Sequence, residues 1–498
     1  MTQRPARRRT AAGALALGLA VSAVVAASPL AGTSLAGTSL AAGSAPAPPP
    51  VDASALPTQV APSPAPGVRQ VRACVARGAN PAGANPAGAD DGPWAPRRLR
   101  LAEAWRLGRG KGQRIAVIDT GVALHPRLAG RLFGGGDYVA GGDGLADCDG
   151  HGTLVAGIAA AAEGEDGFAG VAPEAEVISI RQASEAYAVP GTAEATRTAG
   201  DTASLARAIL HAVDLDATVI NISEAACVPT AAAPVTARSL QAAVRAATAR
   251  GVVVVAAAGN VGSSGCDTQN GNPAGTLVLP AWFDPDVLTV GSVGRDGAAS
   301  TFSMRGPWVD VAAPGAELVT LNPTGTGLTP RPGPGNAGVQ GTSFAAPAVA
   351  GLAALVRQRF PALSARQVIN RITATAQRSP AGRDAATGYG IVDPVAALTV
   401  EPDVLAPPGS PGDAPGRPTG ELAPSSAVPA ERSSGATVAV GIAALAGLLL
   451  LGCVAVRRLR VSLGRDRGRP PSDGPPPGSA APPWEVGAAG PRERRWRR

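Results

Sequence analysis

Short runs rich in β-branched residues alternate with helical patterns through the middle of the 498-residue chain, and this alternation most constrains its fold. The runs are RIAVID (114–119), EVISIR (176–181), ATVINIS (217–223) and GVVVVAAA (251–258). Their consecutive apolar positions are typical of parallel strands buried on both faces. Between or after them come the helical stretches GTLVAGIAAAAE, ASLARAILHAV, SLQAAVRAATAR and SFAAPAVAGLAALVRQ. Strand followed by helix, repeated, predicts an α/β sandwich around a mostly parallel central sheet with right-handed crossovers.

Polar residues stand where two of these strands end. Asp119 is the last residue of the first run, and Asn260 follows GVVVVAAAG. Functional residues of open parallel sheets collect beyond the carboxyl ends of the strands. Both side chains are therefore candidates for one site, although an asparagine at such a place is also a common turn residue.

A serine and a histidine complete a possible catalytic set. Ser343 lies in GTSFAAP, before an alanine-rich helical stretch, where it could cap the helix or act as a nucleophile. The three histidines, His125, His151 and His211, all precede it, and His151 stands among glycines in DGHGTLVAGIAA. The order Asp119, His151, Ser343 excludes the α/β-hydrolase order, in which the serine comes first.

Two further enzyme classes fit less well. GTSFA is not the G-x-S-x-G elbow of the α/β-hydrolases. The DTG of VIDTGV also occurs in aspartic proteases, but those need a second Asp-Thr/Ser-Gly, and the chain has none.

Four blocks taken together resemble the motifs of the subtilisin-like serine proteases: VIDTGV, HGTLVAGI, AAAGN and GTSFAAPAVAG, in that order, across roughly residues 97 to 398. The resemblance implies a three-layer subtilisin-like α/β sandwich and endopeptidase activity. Ser343 would attack the scissile carbonyl, His151 would take and return the proton, and Asp119 would orient the imidazole. The Asn260 side chain and the Ser343 backbone N–H would stabilise the oxyanion.

The resemblance also implies a substrate-binding region. It places ISEAA (222–226) and AAAG (256–259) beside the primary pocket, with the candidate contacts Ser223, Glu224, Ala257, Ala258 and Gly259. Glu224 could meet a basic or polar substrate group, but we favour a solvated side chain on the rim. DCDGHG is too short for a calcium loop and overlaps the histidine, so we expect no metal and no cofactor.

Both ends of the chain contain apolar segments typical of membrane targeting or insertion. The basic start MTQRPARRRT precedes the apolar AAGALALGLAVSAVVAA, which predicts a signal peptide over residues 1–27. Residues 436–456 carry no charge and are long enough to cross ~30 Å of hydrocarbon as a C-terminal transmembrane helix. RRLR follows at once, which predicts a cytoplasmic C-terminus. We therefore expect a single-pass plasma-membrane protein with an extracytoplasmic catalytic domain.

The remaining segments connect these parts. Residues 28–96 form an Ala/Pro/Gly-rich extension that contains GANPAGANPAGAD and should stay extended. A peptidase domain over 97–398 is followed by a Pro/Gly/Ser linker over 399–435 and a basic cytoplasmic tail over 457–498. The formal charge of +7 is carried by arginines at the two ends, so the middle is mildly acidic. Nucleic acid is therefore not an expected partner.

Five cysteines divide between the membrane and the exported part. Cys453 lies in the predicted span, and Cys74, Cys148, Cys227 and Cys266 lie outside it. An even number in an exported region favours disulfides, and the absence of Cys-x-x-Cys argues against a metal site. Three pairings are possible, and we favour the sequential one, 74–148 and 227–266.

The features at the two ends of the chain indicate one group within the subtilisin-like proteases. A signal peptide, a Pro-rich extension, four exported cysteines, INISEAACVP (220–229) and a C-terminal span are similar to those of the mycosins, membrane-anchored subtilases of actinobacterial type VII secretion systems. The resemblance implies that the extension wraps the catalytic domain under a disulfide, which suits Cys74–Cys148. It implies the secretion membrane complex and its secreted proteins as partners. The alternative function is that of a mainly structural subunit stabilising that complex. The Arg/Pro-rich tail departs from the family.

Overall fold

The computed structural model describes residues 47–75, 93–190, 197–232, 237–263, 265–271, 274–330, 338–378 and 382–400. All of them lie in one compact unit, Met1–Ala414. The predicted signal peptide, the candidate span at 436–456 and the basic tail lie outside the described residues. Within the described ranges, no helix has the length and apolar character needed to cross a membrane.

Strands are numbered in chain order over the described residues. They are β1 (Arg69–Gln70), β2 (Arg114–Asp119), β3 (Leu132–Asp137), β4 (Glu176–Arg181), β5 (Ser184–Val189), β6 (Arg197–Ala199), β7 (Val219–Ile222), β8 (Ala226–Pro229), β9 (Val253–Ala257), β10 (Thr276–Leu279), β11 (Val287–Val293), β12 (Val311–Pro314), β13 (Thr320–Leu321) and β14 (Leu328–Thr329).

Helices are numbered in the same way. They are α1 (Trp94–Arg98), α2 (Leu101–Ala104), α3 (His151–Ala160), α4 (Thr202–Asp214), α5 (Arg238–Ala249), α6 (Thr342–Arg359), α7 (Ala365–Ala374) and α8 (Pro394–Thr399), with 3₁₀ turns at Ala53–Ala55 and Pro126–Leu128.

Seven strands form the central sheet in the order β12-β11-β9-β7-β2-β4-β3. Every neighbouring pair is parallel. Ile222 of β7 is in register with Ile118 of β2 on one side and Ala256 of β9 on the other. Because the three strands end level with one another, the residues that follow them meet at one edge of the sheet.

Helices cover both faces of this sheet, as the sequence predicts. Side chains alternate along a strand, so Ile115 and Val117 of β2 pack into one core with α3 and α6, while Ala116 and Ile118 pack into the other with α4 and α5. Helix α6 is buried on every side from Thr342 to Val356. A helix that is apolar all round belongs inside a protein, and α6 supplies much of one core layer.

Residues 47–75 of the predicted N-terminal extension are extended and docked on the domain. Strand β1 pairs antiparallel with β5, which joins Arg69 to Ala188 and Gln70 to Tyr187. Leu56 and Val60 pack against the α4/α5 core. The extension thus gains contacts with the domain, although its composition cannot form a core of its own.

Two disulfides link distant parts of the fold, in the pairing that we favour from the sequence. Cys74 joins Cys148 across 74 positions, and the Val75 N–H donates to the Cys148 carbonyl at 2.9 Å. Cys227 of β8 joins Cys266, in the loop that follows β9. The first bridge fastens the extension to the segment just before α3.

Candidate active site

Three adjacent parallel strands deliver the candidate residues to one edge of the sheet. Asp119 ends β2 and is fully buried. Glu224 comes two residues after β7, and Asn260 comes three residues after β9. His151 and Ser343 lie in the first turns of α3 and α6, which start at the same edge. The structure thus brings together all four residues predicted from the motifs.

The histidine is held by the aspartate. His151 Nδ1 lies 2.7 Å from Asp119 Oδ1, and the Thr120 N–H donates to the same oxygen at 2.7 Å. An ionised carboxylate only accepts hydrogen bonds, so this contact assigns the ring proton to Nδ1 and leaves Nε2 as the free basic nitrogen. The side chain is 26% exposed, so part of the ring can be reached from solvent.

Charges around His151 favour its protonated form. Burial alone would lower the pKa of the imidazole, but the charge and the hydrogen bond of Asp119, followed by the charges of Glu224 and Asp147, raise it above its ordinary value. His125 differs, because burial lowers its pKa and both of its ring nitrogens have structural contacts, with the Arg127 N–H and with the Gly327 carbonyl.

Ser343 is buried, and hydrogen bonds hold its backbone in place. Its carbonyl accepts a hydrogen bond from Ser223 Oγ at 2.7 Å, and Asn221 Nδ2 donates to that hydroxyl at 2.9 Å. Within the described residues, no hydrogen bond joins Ser343 Oγ to His151. Such catalytic contacts are often long in unliganded enzymes and tighten when substrate binds. The neighbouring Phe344 ring lies 5.0 Å from the His151 ring, so serine and histidine share one corner of the site.

Thr342 orients the asparagine. Its N–H and its hydroxyl both donate to Asn260 Oδ1, at 2.9 and 3.1 Å, and the hydroxyl accepts from the Gly259 N–H at 3.1 Å. With Oδ1 occupied in this way, Asn260 Nδ2 is left as the free donor. The Ser343 N–H also has no acceptor among the described residues, as is usual in the first turn of a helix.

Gly341 keeps the space beside these two groups open. Its φ is +152°, and a Cβ built on it would lie 2.9 Å from Ser343 Oγ and 3.4 Å from Asn260 Nδ2. A side chain there would crowd the hydroxyl and the amide together. The same pocket of space therefore adjoins the serine oxygen and the free amide donor.

Asp147 is a site residue that the sequence analysis does not predict. Its carboxylate accepts hydrogen bonds from the Thr120 hydroxyl, just after β2, and from three groups at the start of α3: the Gly150 N–H, the Thr153 N–H and the Thr153 hydroxyl, at 2.6–2.8 Å. It lies four residues before His151 in DCDGHG. The signal that could have found it is an acidic residue just ahead of a helix start.

The predicted substrate-binding residues fall into two groups. Ala257 and Ala258 are buried, the Ala258 N–H donates to the Val290 carbonyl, and the Ser223 hydroxyl is used to hold Ser343. Glu224 differs from our expectation of a solvated rim residue, since it is only partly exposed. Burial, then the Asp119 charge, raise the pKa of its carboxyl to about 7, against the opposing effect of His151.

Asp119, His151 and Glu224 also form the one group of described residues close enough to share a cation, with one ligand atom of each lying within 4.8 Å of the others. Two of the three are already hydrogen-bonded to each other. The absence of a required metal stays a prediction.

Comparison with known proteins identifies the family. The model of the subtilase family (Peptidase S8) matches residues 110–390. The chain belongs to the subtilase family. Mycosin-4 of Mycobacterium tuberculosis is 48% identical over 365 residues, which cover 71% of this chain and 78% of that protein. Together with the structural matches below, this places the chain among the mycosins, which are subtilisin-like serine proteases.

Two solved structures show the same fold. A crystal structure of MycP1 from the ESX-1 type VII secretion system has a TM-score of 0.64 at 43% identity, and the match covers 71% of this chain and 97% of that one. The corresponding chain of an intact ESX-5 inner membrane complex has a TM-score of 0.66 at 40% identity, covering 83% and 100%. Both agree with the three-layer architecture.

Proposed function

We propose that this mycosin cleaves proteins with Ser343 as nucleophile, His151 as general base and Asp119 as the group that orients the histidine. The observation that supports this most directly is the 2.7 Å contact between His151 Nδ1 and the buried Asp119 Oδ1. It leaves Nε2 free, in a ring that lies 5.0 Å from the ring of Phe344, the residue after Ser343.

His151 Nε2 carries the proton in both steps of the reaction. Nε2 takes the Ser343 Oγ proton as the oxygen attacks the scissile carbonyl, and then gives it to the leaving amine. Asp119 stays ionised and stabilises the imidazolium that forms between these steps. Water then repeats the sequence on the acyl-enzyme, which releases the second product.

Two donors stabilise the negative charge that develops on the carbonyl oxygen. These are Asn260 Nδ2, which borders the space beside Gly341, and the Ser343 N–H, and neither has an acceptor among the described residues. The N-terminus of α6 adds a favourable dipole. Loss of one such donor typically lowers kcat by ~10²–10³-fold.

Fluorophosphonate labelling tests the catalytic assignment. Full-length protein in detergent and its Ser343→Ala variant are treated with a fluorophosphonate probe, and the labelled residue is identified by mass spectrometry. Labelling at Ser343 in the wild type and none in the variant is the expected result. Labelling elsewhere, or equal labelling of both, contradicts the assignment.

We further propose that the protein works outside the plasma membrane, anchored by residues 436–456, and that it acts with a type VII secretion complex on proteins which that complex secretes. The similarity to a chain of the ESX-5 inner membrane complex supports this location. Protease digestion of intact and permeabilised cells tests the topology. The 457–498 tail should be cleaved only after permeabilisation, and its cleavage in intact cells contradicts the orientation.

The same similarity supports a second, structural function in the secretion complex. Comparing a deletion of the gene with a chromosomal Ser343→Ala replacement separates the two. If catalysis alone is needed, the complex assembles in both strains and its substrates stay untrimmed. If the chain is needed as a scaffold, deletion disrupts the complex, whereas Ser343→Ala leaves it intact.

A further inference from the structure

A partly buried carboxylate lies beside the catalytic histidine, where the proposed mechanism does not use it. One carboxylate oxygen of Glu224 is within 4.8 Å of a His151 ring nitrogen and of an Asp119 carboxylate oxygen. Among the described residues, no donor is hydrogen-bonded to it and no arginine or lysine forms an ion pair with it. We propose that Glu224 determines specificity by binding a positively charged side chain of the substrate on the acyl side of the scissile bond.

The charged groups around Glu224 are engaged with other partners, so a substrate side chain can bind its carboxylate. Asp119 and His151 are engaged with each other. Asp149 accepts hydrogen bonds from the Ser184 hydroxyl and from the Glu185 and Ala186 N–H groups. Glu185 is largely exposed and is paired with Arg72. Among the described residues, Glu224 is therefore the carboxylate of this group that has neither a hydrogen-bond donor nor an arginine or lysine beside it.

The backbone at Glu224 is free to hold a peptide. Residues 223–225 connect β7, which ends beside Asp119, to β8, which pairs with β10. Among the described residues, no backbone hydrogen bond is made by Glu224 or Ala225. A backbone segment whose N–H and C=O groups are free can pair with an extended peptide, and neighbouring side chains then select the residues of that peptide.

The partial burial of Glu224 should make its carboxylate discriminate between charged and neutral substrate side chains. A neutral substrate side chain over Glu224 leaves a partly desolvated acidic group without a partner, whereas a lysine or arginine supplies a charge-assisted hydrogen bond. The substrate charge also compensates the repulsion between Glu224 and Asp119. An aspartate or glutamate at that substrate position would add a third negative charge and should be disfavoured.

The inference rests on the proposed cleavage by Ser343, and its test uses matched peptides. Four pairs of peptides carry arginine, or the uncharged isostere citrulline, at one of the four positions before the scissile bond. The value of kcat/KM is measured for full-length wild type, Glu224→Gln and Glu163→Gln. Glu163 is the control, because it carries the same charge but pairs with Arg109 away from the catalytic residues.

At one peptide position we expect the wild type and Glu163→Gln to favour arginine over citrulline by about tenfold to a hundredfold, as expected for a charge-assisted hydrogen bond. Glu224→Gln should reduce that ratio to about one, mainly through loss of arginine cleavage. A ratio unchanged in Glu224→Gln, a wild type without preference, or an equal loss in Glu163→Gln overturns the inference. Fluorophosphonate labelling of all three proteins shows separately whether Ser343 is active, so failure of the proposed function is recognised as such.

Discussion

At the scale of single residues, Thr342 has a larger part in the site than its position beside the nucleophile suggests. It makes both hydrogen bonds to Asn260 Oδ1, and its hydroxyl also accepts the Gly259 N–H. The amide that we propose as an oxyanion donor is therefore oriented by the hydroxyl of a residue outside the proposed triad. Preorganised donors of this kind are effective because they need no rearrangement when charge develops.

Thr342→Val removes the hydroxyl and keeps the shape. We expect kcat to fall by about 10- to 100-fold with little change in KM, which is less than the ~10²–10³-fold loss for Asn260→Ala. Thr342→Ser, which keeps the hydroxyl, should retain most of the activity. Steady-state kinetics on one peptide substrate measure all three variants, and a Thr342→Val enzyme with wild-type kcat would show that Asn260 is oriented by other contacts.

The pH dependence of cleavage follows from the charges around His151. The base must be neutral to act, and its neighbours raise its pKa, so activity should be lost as pH falls through a value above the ordinary ~6.5 of histidine. Removing the Glu224 charge takes away one of those raising effects. Glu224→Gln should therefore move the acid limb of kcat/KM to lower pH.

This shift is measured from pH–rate profiles between pH 5 and 10 for wild type, Glu224→Gln and the Glu163→Gln control. The control should superimpose on the wild type. An acid limb that moves to higher pH in Glu224→Gln, or does not move, is incompatible with the charge effect.

At the scale of elements, the start of α3 depends on one acidic residue. Asp147 binds two backbone N–H groups of the first turn and two threonine hydroxyls, and so fixes the helix that presents His151. Asp149, on the other side of Cys148, binds the start of β5. The loop before the histidine is therefore anchored on both sides.

Asp147→Ala leaves these buried donors without an acceptor. We expect the free energy of unfolding to fall by about 1–3 kcal/mol, with a lower kcat at temperatures where the variant stays folded. Asp384→Ala is a suitable control, because Asp384 binds only its own exposed turn. Thermal unfolding measures the stability of both variants, and steady-state kinetics measure their kcat. An Asp147→Ala protein that is no less stable than the control contradicts the capping role.

Across the whole molecule, a disulfide links the N-terminal extension to the loop that precedes His151. The bridge Cys74–Cys148 ends three residues before His151, and β1 pairs with β5 next to the same loop. A strand that crosses the surface and is fastened at its end limits the motion of the segment beneath it. The extension is thus joined covalently to the loop that precedes His151.

Replacing both Cys74 and Cys148 by serine removes the constraint from the unfolded chain. For a separation of 74 positions, loop entropy gives an upper value of roughly 4 kcal/mol of lost stability. Cys453→Ser is the control, since that cysteine lies in the predicted membrane span. Denaturant unfolding of the detergent-solubilised proteins should show the loss in the double variant alone; equal midpoints for both would mean that the bridge adds no stability.

Much of the fold and site could be predicted from the sequence, because it depends on local patterns. The runs at 114–119 and 176–181 coincide with β2 and β4, and the predicted helices agree with α3 to α6 within one to three residues. Asp119, His151, Asn260 and Ser343 were identifiable because each stands in a short motif at the end of a strand or the start of a helix. Periodicity and motif spacing need no knowledge of which segments touch.

Features that depend on contacts between distant segments could not be predicted from the sequence. Strand β3, LFGGGD, carries three glycines and has little strand propensity of its own, and it forms because β4 pairs with it. The hydrogen bond between Thr120 and Asp147, the hydrogen bonds of Thr342 to Asn260 and the partial burial of Glu224 beside His151 join residues far apart in the chain. Hydrogen bonds and desolvation depend on distance in space, and the sequence alone records only distance along the chain.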